Sequence, residues 1–423
     1  MAIAGLFDRE KLGDNGTAFV IAMWLLSRLV LLVAMLGIAP ALPAPPGGDE
    51  AHFSWQAFNA WDGRQFEVIA TQGYEFIKDG KAHNIAFLPL FPLLVRGVML
   101  LGLSFPVAGT LTNNLTFLAA AIILYGWVEE RHGSSAARWI AATFLWCPFS
   151  IFGTVIYTEG CFLLCTIAAL RSFERGYYGW AGFWGALGTA IRLPALALIP
   201  TFIWIAWRQR RPLAAYLAAA ATTGGLLAYI VYCWLRFGEP FAFYLAHMGW
   251  TIPNKLKMSW LWVLLEITIG PRNAERQALV DPWHPLLFLL ICALAIALWQ
   301  LRRQLGTVKT GYGFWLLGIL LWLLAGSPLI NALMVWGGVY LLWHCRRELS
   351  PVALTYAVFS FAIIFAAGRT GSAERYAYGI PTLSIALGLL LYRYPRHGYL
   401  AIAFFAILLA SFGVRFAQQL WVG

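Results

Sequence analysis

Long apolar runs recur along almost the whole of this chain, and they constrain its fold more than any other feature. Of its 423 residues, 61% are hydrophobic and only 12% are charged. A run of roughly 20 apolar residues crosses a bilayer as a helix, because a helix satisfies its own backbone polar groups without water. The sequence therefore predicts an all-α fold, a polytopic transmembrane bundle of about 11–13 membrane helices.

Most of these runs have the length of a single membrane span. The predicted spans are 17–38, 107–128, 137–156, 160–173, 214–235, 284–301, 312–325, 328–344, 351–367, 377–392 and 399–418. Two stretches differ. Residues 87–103 contain Pro89 and Pro92 and are predicted as an interfacial helix, whereas residues 178–207 are predicted as two short helices broken at Arg192.

Basic residues predict the orientation of the bundle. The net charge of +11 comes from short clusters between spans and does not indicate a nucleic-acid partner. Cytoplasmic loops are enriched in lysine and arginine, so we place four clusters inside: 208–211, 302–309, 346–347 and 393–397. The polar regions 61–84, 237–283 and 368–378 then face the opposite, outer side. The composition, rich in alanine and tryptophan with short loops, indicates the inner membrane of a bacterium.

The chain lacks the usual sequence signatures of metal and nucleotide sites. All six cysteines fall in apolar segments without metal-ligand spacing, so we expect neither disulfides nor a metal, and no cofactor. No glycine-rich phosphate loop is present. A membrane-soluble substrate is therefore expected in place of a cytoplasmic nucleotide.

A polar segment, 61–74, follows the first span, and Asp62 stands at its start. Apolar residues at helical spacing after Asp62 predict a short amphipathic helix on the membrane surface. Gln65 lies three residues after Asp62, so a capping box is one interpretation and a catalytic carboxylate the other. The spacing alone leaves both open.

Two arginines fall inside predicted membrane segments. Arg28, in the first span, needs a partner or an aqueous cavity, and we weigh a structural ion pair against ligand contact, with Glu159 as a candidate partner. Arg192, at the predicted helix break, either binds an anion or caps freed carbonyls.

A compact loop between two late spans contains Arg369, Glu374, Arg375 and Tyr376. Guanidinium groups suit a phosphate because their donors form a planar fork. An exposed Glu374–Arg375 pair is the alternative.

Several of these segments resemble the GPI mannosyltransferase II (PIG-V) family. Residues 61–74 and 83–92 are similar to its first lumenal loop, with Trp-Asp, Ile-Ala, Gly-Tyr and a later Ala-Phe-x-Pro motif, and residues 157–159 are similar to its Tyr-Ser-Glu. Ser27-Arg28 and Arg192 also match arginine positions of the family. The resemblance covers about the first half of the chain. Animal members have histidine where this chain has Gln65.

The resemblance implies a GT-C glycosyltransferase, a multi-span enzyme that uses a polyprenyl-phosphate sugar, commonly mannose, with Asp62 as the expected base. We predict one integral membrane domain, 1–423, in which residues 1–211 form the catalytic module with outer loop 39–106 and residues 212–423 a variable helical module. The predicted substrate-binding residues are Trp61, Arg28, His83, Tyr157, Glu159, Arg192, Arg369, Arg375 and Tyr376.

The predicted reaction is an inverting transfer of a sugar, mannose by resemblance, to a hydroxyl of a lipid-linked or glycan acceptor on the outer face. The expected partners are the polyprenyl-phosphate donor, that acceptor and the lipid bilayer. A transporter or flippase of a lipid-linked glycan, or a ligase that moves a whole glycan from lipid diphosphate, is the alternative.

Overall fold

The computed structural model describes residues 15–250, 259–368 and 370–422, and within them the regular structure is helical, without strands. The α-helices are α1 Gly16–Leu32, α2 Asp62–Gln72, α3 Leu90–Met99, α4 Phe105–Trp146, α5 Glu159–Glu174, α6 Tyr178–Ile191, α7 Leu198–Arg208, α8 Leu213–Thr222, α9 Gly224–Phe237, α10 Ala242–Gly249, α11 Trp260–Ile269, α12 Pro271–Arg276, α13 Trp283–Ala325, α14 Ser327–Ala332, α15 Gly338–Cys345, α16 Pro351–Ala366, α17 Ala373–Tyr378, α18 Pro381–Arg393 and α19 Pro395–Ala417.

The predicted class, a polytopic membrane protein built of helices, is confirmed. Six helices of the described part are long and apolar enough to cross a membrane, and shorter apolar helices accompany them. Helices α4 and α13 each consist of two helices joined at a non-helical glycine, Gly133 with φ 78° and Gly306 with φ 75°. Glycine adopts such a left-handed φ without a Cβ clash. These two joints fall between the predicted spans on either side of them.

One predicted span, 137–156, is wrong in its second half. Helix α4 ends at Trp146, and a 3-10 helix follows over Pro148–Gly153. Cys147 has an extended ψ of 134°, because the residue before a proline avoids the helical region. The chain from 148 to 158 is therefore irregular and supplies backbone groups that other residues bind.

The chain divides into two compact units. The first comprises the described residues 15–250, 341–363 and 378–422, and the second comprises the described residues 259–340, 364–368 and 370–377. The predicted division at residue 211 stays a prediction.

The two stretches that were not predicted as single spans, 87–103 and 178–207, contain short helices. Residues 90–99 form α3, which buries Phe91 and Val95 and exposes Leu93, Leu94 and Arg96. The predicted break at Arg192 is confirmed: α6 ends at Ile191, and Arg192 is extended with φ −150° and ψ 140°. Both features border the candidate site.

Candidate active site

Helix α2 begins at Asp62, directly after a residue with unusual backbone angles. Trp61 has φ 54° and ψ −114°, a conformation that is rare for a residue with a side chain. Asp62 is the first helical residue and the acidic group of the first turn, where a negative charge is favoured. The cap position falls on Trp61, whose own side chain makes no capping hydrogen bond. Both interpretations of Asp62, the capping box with Gln65 and the catalytic carboxylate, stay predictions.

The start of α2 lies against the segment that leads to α5. The Ile156 amide donates to the Phe58 carbonyl over 3.0 Å, which ties the outer loop to the residue before Tyr157. A Cβ on Gly63 would lie 2.7 Å from Asn59 Oδ1 and 3.1 Å from the Ile156 carbonyl, so a larger residue would require both neighbours to shift. The Trp-Asp and Tyr-Thr-Glu motifs, separated in sequence, are thus neighbours in the first unit.

A buried asparagine shapes the irregular segment 148–160. Asn113 Nδ2 donates to the carbonyls of Phe152 at 2.7 Å and Val155 at 2.6 Å, and its Oδ1 accepts from the Gly160 amide at 2.8 Å. Buried backbone groups outside a helix need such partners. Sequence reasoning missed Asn113, although a polar amide in the middle of an apolar helix could have indicated a structural role.

Glu159 and Arg192 form an ion pair. Glu159 Oε1 contacts Arg192 Nη1, the glutamate is fully buried, and the arginine side chain is 11% exposed. The Arg192 guanidinium also lies 5.6 Å from the centroid of the Phe162 ring. The structure thus brings together two of the predicted site residues.

Arg28 binds backbone and hydroxyl groups of the 145–154 region. Its Nη1 donates to the Ser150 carbonyl at 2.8 Å, and its Nη2 to Ser150 Oγ at 2.8 Å and to the Leu145 carbonyl at 3.1 Å. The expected ion pair between Arg28 and Glu159 is wrong, because Arg192 pairs with Glu159. The buried position of Arg28 favours a structural role over its predicted substrate contact.

Tyr157 is buried between aromatic rings. Its centroid lies 4.9 Å from that of Phe152 and 6.0 Å from that of Phe416. Its predicted contact with substrate stays a prediction.

His83 lies beside Asp79 on the outer loop, with Nε2 2.8 Å from Oδ1. That hydrogen bond, together with one from the Lys81 amide, lowers the pKa of the Asp79 carboxyl. The predicted substrate role of His83 stays a prediction.

Glu374, Arg375 and Tyr376, from the predicted loop, belong to the second unit. Arg375 lies with its guanidinium 5.6 Å from the ring centroid of Tyr376, and both Glu374 and Arg375 are buried. The alternative of an exposed Glu374–Arg375 pair is therefore wrong. Burial raises the pKa of Glu374 to about 7. Arg369 lies outside the described residues, and the substrate roles of Arg369, Arg375 and Tyr376 stay predictions.

An apolar groove of about 390 Å³ lies between α2, α3, α6 and α9. Its lining residues include Ala70, Gly73, Tyr74, Pro89, Leu93, Arg96, Ala190, Gly225, Ala228, Tyr229 and Tyr232. The hydroxyl of Tyr229 donates to the Ile85 carbonyl at 2.8 Å, so the ring forms a fixed wall. This groove was not predicted from the sequence.

No group of three histidine, cysteine, aspartate or glutamate side chains that could hold a metal occurs among the residues that the structure describes.

The comparison with protein families matches one segment of this chain. Residues 49–209 match the family model described as "Mannosyltransferase (PIG-V)", which covers α2 to α7 and both motifs that meet at the start of α2. This segment of a multi-span helical protein is therefore similar to membrane mannosyltransferases. The resemblance to the PIG-V mannosyltransferases is thereby confirmed over that segment. No curated protein matches the chain.

Solved structures with a similar course of the chain include two bacterial or archaeal proteins. The oligosaccharyltransferase of Archaeoglobus fulgidus, in complex with zinc and sulfate, aligns at 13% identity and a TM-score of 0.46, covering 95% of this chain and 53% of that one. The chain thus spans about half the length of that protein. ArnT of Cupriavidus metallidurans aligns in its apo state at 14% identity and a TM-score of 0.43, covering 94% of this chain and 78% of ArnT. ArnT bound to undecaprenyl phosphate aligns at 14% identity with a TM-score of 0.41.

Proposed function

We propose that this protein transfers a sugar, mannose in the first instance, from a polyprenyl-phosphate donor to a hydroxyl of a lipid-linked or glycan acceptor. The observation that carries this proposal is the hydrogen bond of 3.0 Å between the Ile156 amide and the Phe58 carbonyl. This bond joins the outer loop, four residues before Asp62, to the segment that leads to Glu159, and Glu159 pairs with Arg192. Both segments lie inside the mannosyltransferase family match.

Asp62 is the proposed general base of a single inverting displacement. Its carboxylate takes the proton of the acceptor hydroxyl, whose oxygen attacks the anomeric carbon as the bond from that carbon to the phosphate oxygen breaks. The polyprenyl phosphate leaves as a stable anion, so a strong general acid is not required. Asp62 is half-buried at the start of a surface helix, within reach of an acceptor that arrives from the aqueous side.

Arg192 is the proposed ligand of the donor phosphate. Guanidinium stabilises the negative charge that grows on the leaving phosphate, so the contact strengthens toward the transition state. Arg192 follows Ala190, which lines the groove, by two residues, and its extended backbone turns the chain at this point. Glu159 holds the guanidinium before the donor arrives.

The groove between α2, α3, α6 and α9 is the proposed position of the first isoprene units. Its walls are formed mainly by alanine, glycine, proline and tyrosine residues, which suit a branched hydrocarbon chain. The face of α2 that lines this groove ends at Gly73, and Asp62 stands at the other end of the same helix. One short helix therefore links the proposed lipid site to the proposed base.

The reaction is proposed to take place on the outer face of a bacterial inner membrane. The basic clusters support this orientation, since lysine and arginine accumulate in cytoplasmic loops. Outer loop 39–106 then carries Asp62 at the external surface.

Purified protein in liposomes, supplied with radiolabelled polyprenyl-phosphate mannose and a lipid extract, tests the proposal. Labelled acceptor should form, and the label should leave the donor at the same rate. Movement of intact donor across the bilayer without transfer would indicate a flippase instead. Consumption of a lipid-diphosphate glycan only would indicate a ligase.

A further inference from the structure

The segment after α19 contacts the outer loop on both sides of Asp62. The ring centroids of Trp61 and Trp421 lie 5.1 Å apart in an edge-to-face arrangement, and Arg64 Nη2 donates to Gln419 Oε1 at 2.8 Å. Trp61 precedes the proposed base and Arg64 follows it by two residues. The same segment is anchored deeper in the loop, because the Asp49 amide donates to the Gln418 carbonyl at 2.9 Å.

One residue on each side of this interface, Trp61 in the outer loop and Gln419 after α19, has a backbone φ that favours glycine. Trp61 has φ 54° and Gln419 has φ 59°. Gln419 lies two residues after the end of α19 and is the left-handed residue of a Schellman motif. The Leu420 amide donates to the Arg415 carbonyl at 2.9 Å, and the Gln419 amide donates to the Phe416 carbonyl at 3.0 Å. Glycine is the usual residue there. A glutamine at this position has a less favourable backbone conformation than glycine would have, but its side chain accepts a hydrogen bond from Arg64.

We propose that residues 419–421 act as a latch on the α2 entry, with Trp421 and Gln419 as positioning residues for Asp62. Strained backbone conformations persist where surrounding contacts hold them. The Trp421 ring and the Gln419 amide hold Trp61 and Arg64, and so fix the direction in which the Asp62 side chain leaves the helix. The latch lies outside residues 49–209, so it is an addition to the family-matched segment. It rests on the proposed role of Asp62.

Trp421→Ala and Gln419→Gly test the latch in complementary ways. Trp421→Ala should lower kcat about 10-fold with little change in KM, because a small misplacement of a catalytic group costs rate more than binding. Trp421→Phe keeps an aromatic ring and should restore most of the loss. Gln419→Gly relieves the left-handed backbone, so the melting temperature should hold or rise while kcat falls. A merely structural residue would not give a more stable and slower enzyme.

Trp207→Ala is the matched control, because Trp207 forms an exposed tryptophan pair with Trp204 at 5.3 Å elsewhere in the first unit. Equal kcat in Trp421→Ala and Trp207→Ala, with Gln419→Gly at wild-type rate, would overturn the latch. In an Asp62→Asn background, Trp421→Ala should have no further effect, and a second full 10-fold loss would also overturn it.

Asp62→Asn alone separates the two proposals. An impaired Asp62→Asn with a normal Trp421→Ala removes the latch and leaves the proposed function intact. A normal Asp62→Asn removes the proposed base itself.

Discussion

Charged side chains are rare in this chain, and Arg28 and Glu159 show how two buried ones are held by the residues that surround them. Arg28 gathers carbonyl and hydroxyl oxygens of the 145–154 region, and Arg192 pairs with Glu159. A charge that is buried without such partners is costly, so these contacts decide where the irregular segments can lie. Of these two arginines in apolar segments, Arg28 thus stabilises the fold and Arg192 is the candidate phosphate ligand.

Arg28→Lys should destabilise the protein although it keeps the charge. Arg28 donates to five acceptors, whereas a lysine ammonium has three donors at a single point. Each buried group left without a partner costs about 1–3 kcal/mol. The melting temperature in detergent should fall clearly, whereas Arg236→Lys, at an exposed arginine, should leave it unchanged. An equal melting temperature in both variants would contradict the structural role of Arg28.

Glu374→Gln should stabilise the protein only at neutral and higher pH. The pKa of Glu374 is raised from 4.5 to about 7 by burial, so ionisation is easier in the unfolded chain. The folded state therefore loses stability as the pH rises from about 4.5 to 7 and stays at that lower level above it. The variant avoids this loss, which is of order 1–3 kcal/mol. Melting temperatures of both proteins at pH 5 and pH 8 check this; a gain of the same size at both pH values would contradict it.

At the scale of elements, helix α2 joins the two parts of the proposed site. Asp62 is at its first residue, and Ile69, Ala70 and Gly73 near its end line the groove. The periodicity of apolar residues after Asp62 was enough to predict this helix. The groove was not predictable, because it needs α3, α6 and α9 from distant parts of the sequence to meet α2.

Ala228→Trp should fill the groove, which neither Asp62 nor Arg192 lines. The Michaelis constant for a long-chain polyprenyl-phosphate donor should rise about 10-fold, because the indole ring excludes the isoprene units from the groove. The rise should be smaller for a ten-carbon analogue. Steady-state kinetics with both donors measure this. Equal changes for the two donors would show that the groove does not hold the chain.

The positions of the helices in the whole molecule were predicted from hydropathy more accurately than the contacts of the site. Most predicted spans have a helical counterpart, and the joints at Gly133 and Gly306 fall where short connections were expected. The span 137–156 failed because Pro148 ends the helix early, and window hydropathy does not register one proline in an apolar run. The ion pair of Glu159 with Arg192, instead of Arg28, was likewise beyond the sequence, since both arginines lie in apolar segments and only the packing distinguishes them.

The orientation of the bundle is testable by labelling. Single cysteines in place of Gly80 and Gln209, in a background without the native thiols, should react differently with an impermeant maleimide. Gly80→Cys should be labelled from outside the cell and Gln209→Cys only after the membrane is opened, because the basic cluster 208–211 is placed inside. The reverse pattern would contradict the outer-face assignment.

The most direct measurement of the central claim is the turnover of Asp62→Asn with a polyprenyl-phosphate mannose donor. Asparagine keeps the size of the side chain and removes the base. The melting temperature should stay close to that of the wild type, and the turnover should be lower by about 10²–10⁴-fold, the usual contribution of a general base. A turnover near the wild-type value, in a protein that still melts normally, would contradict it.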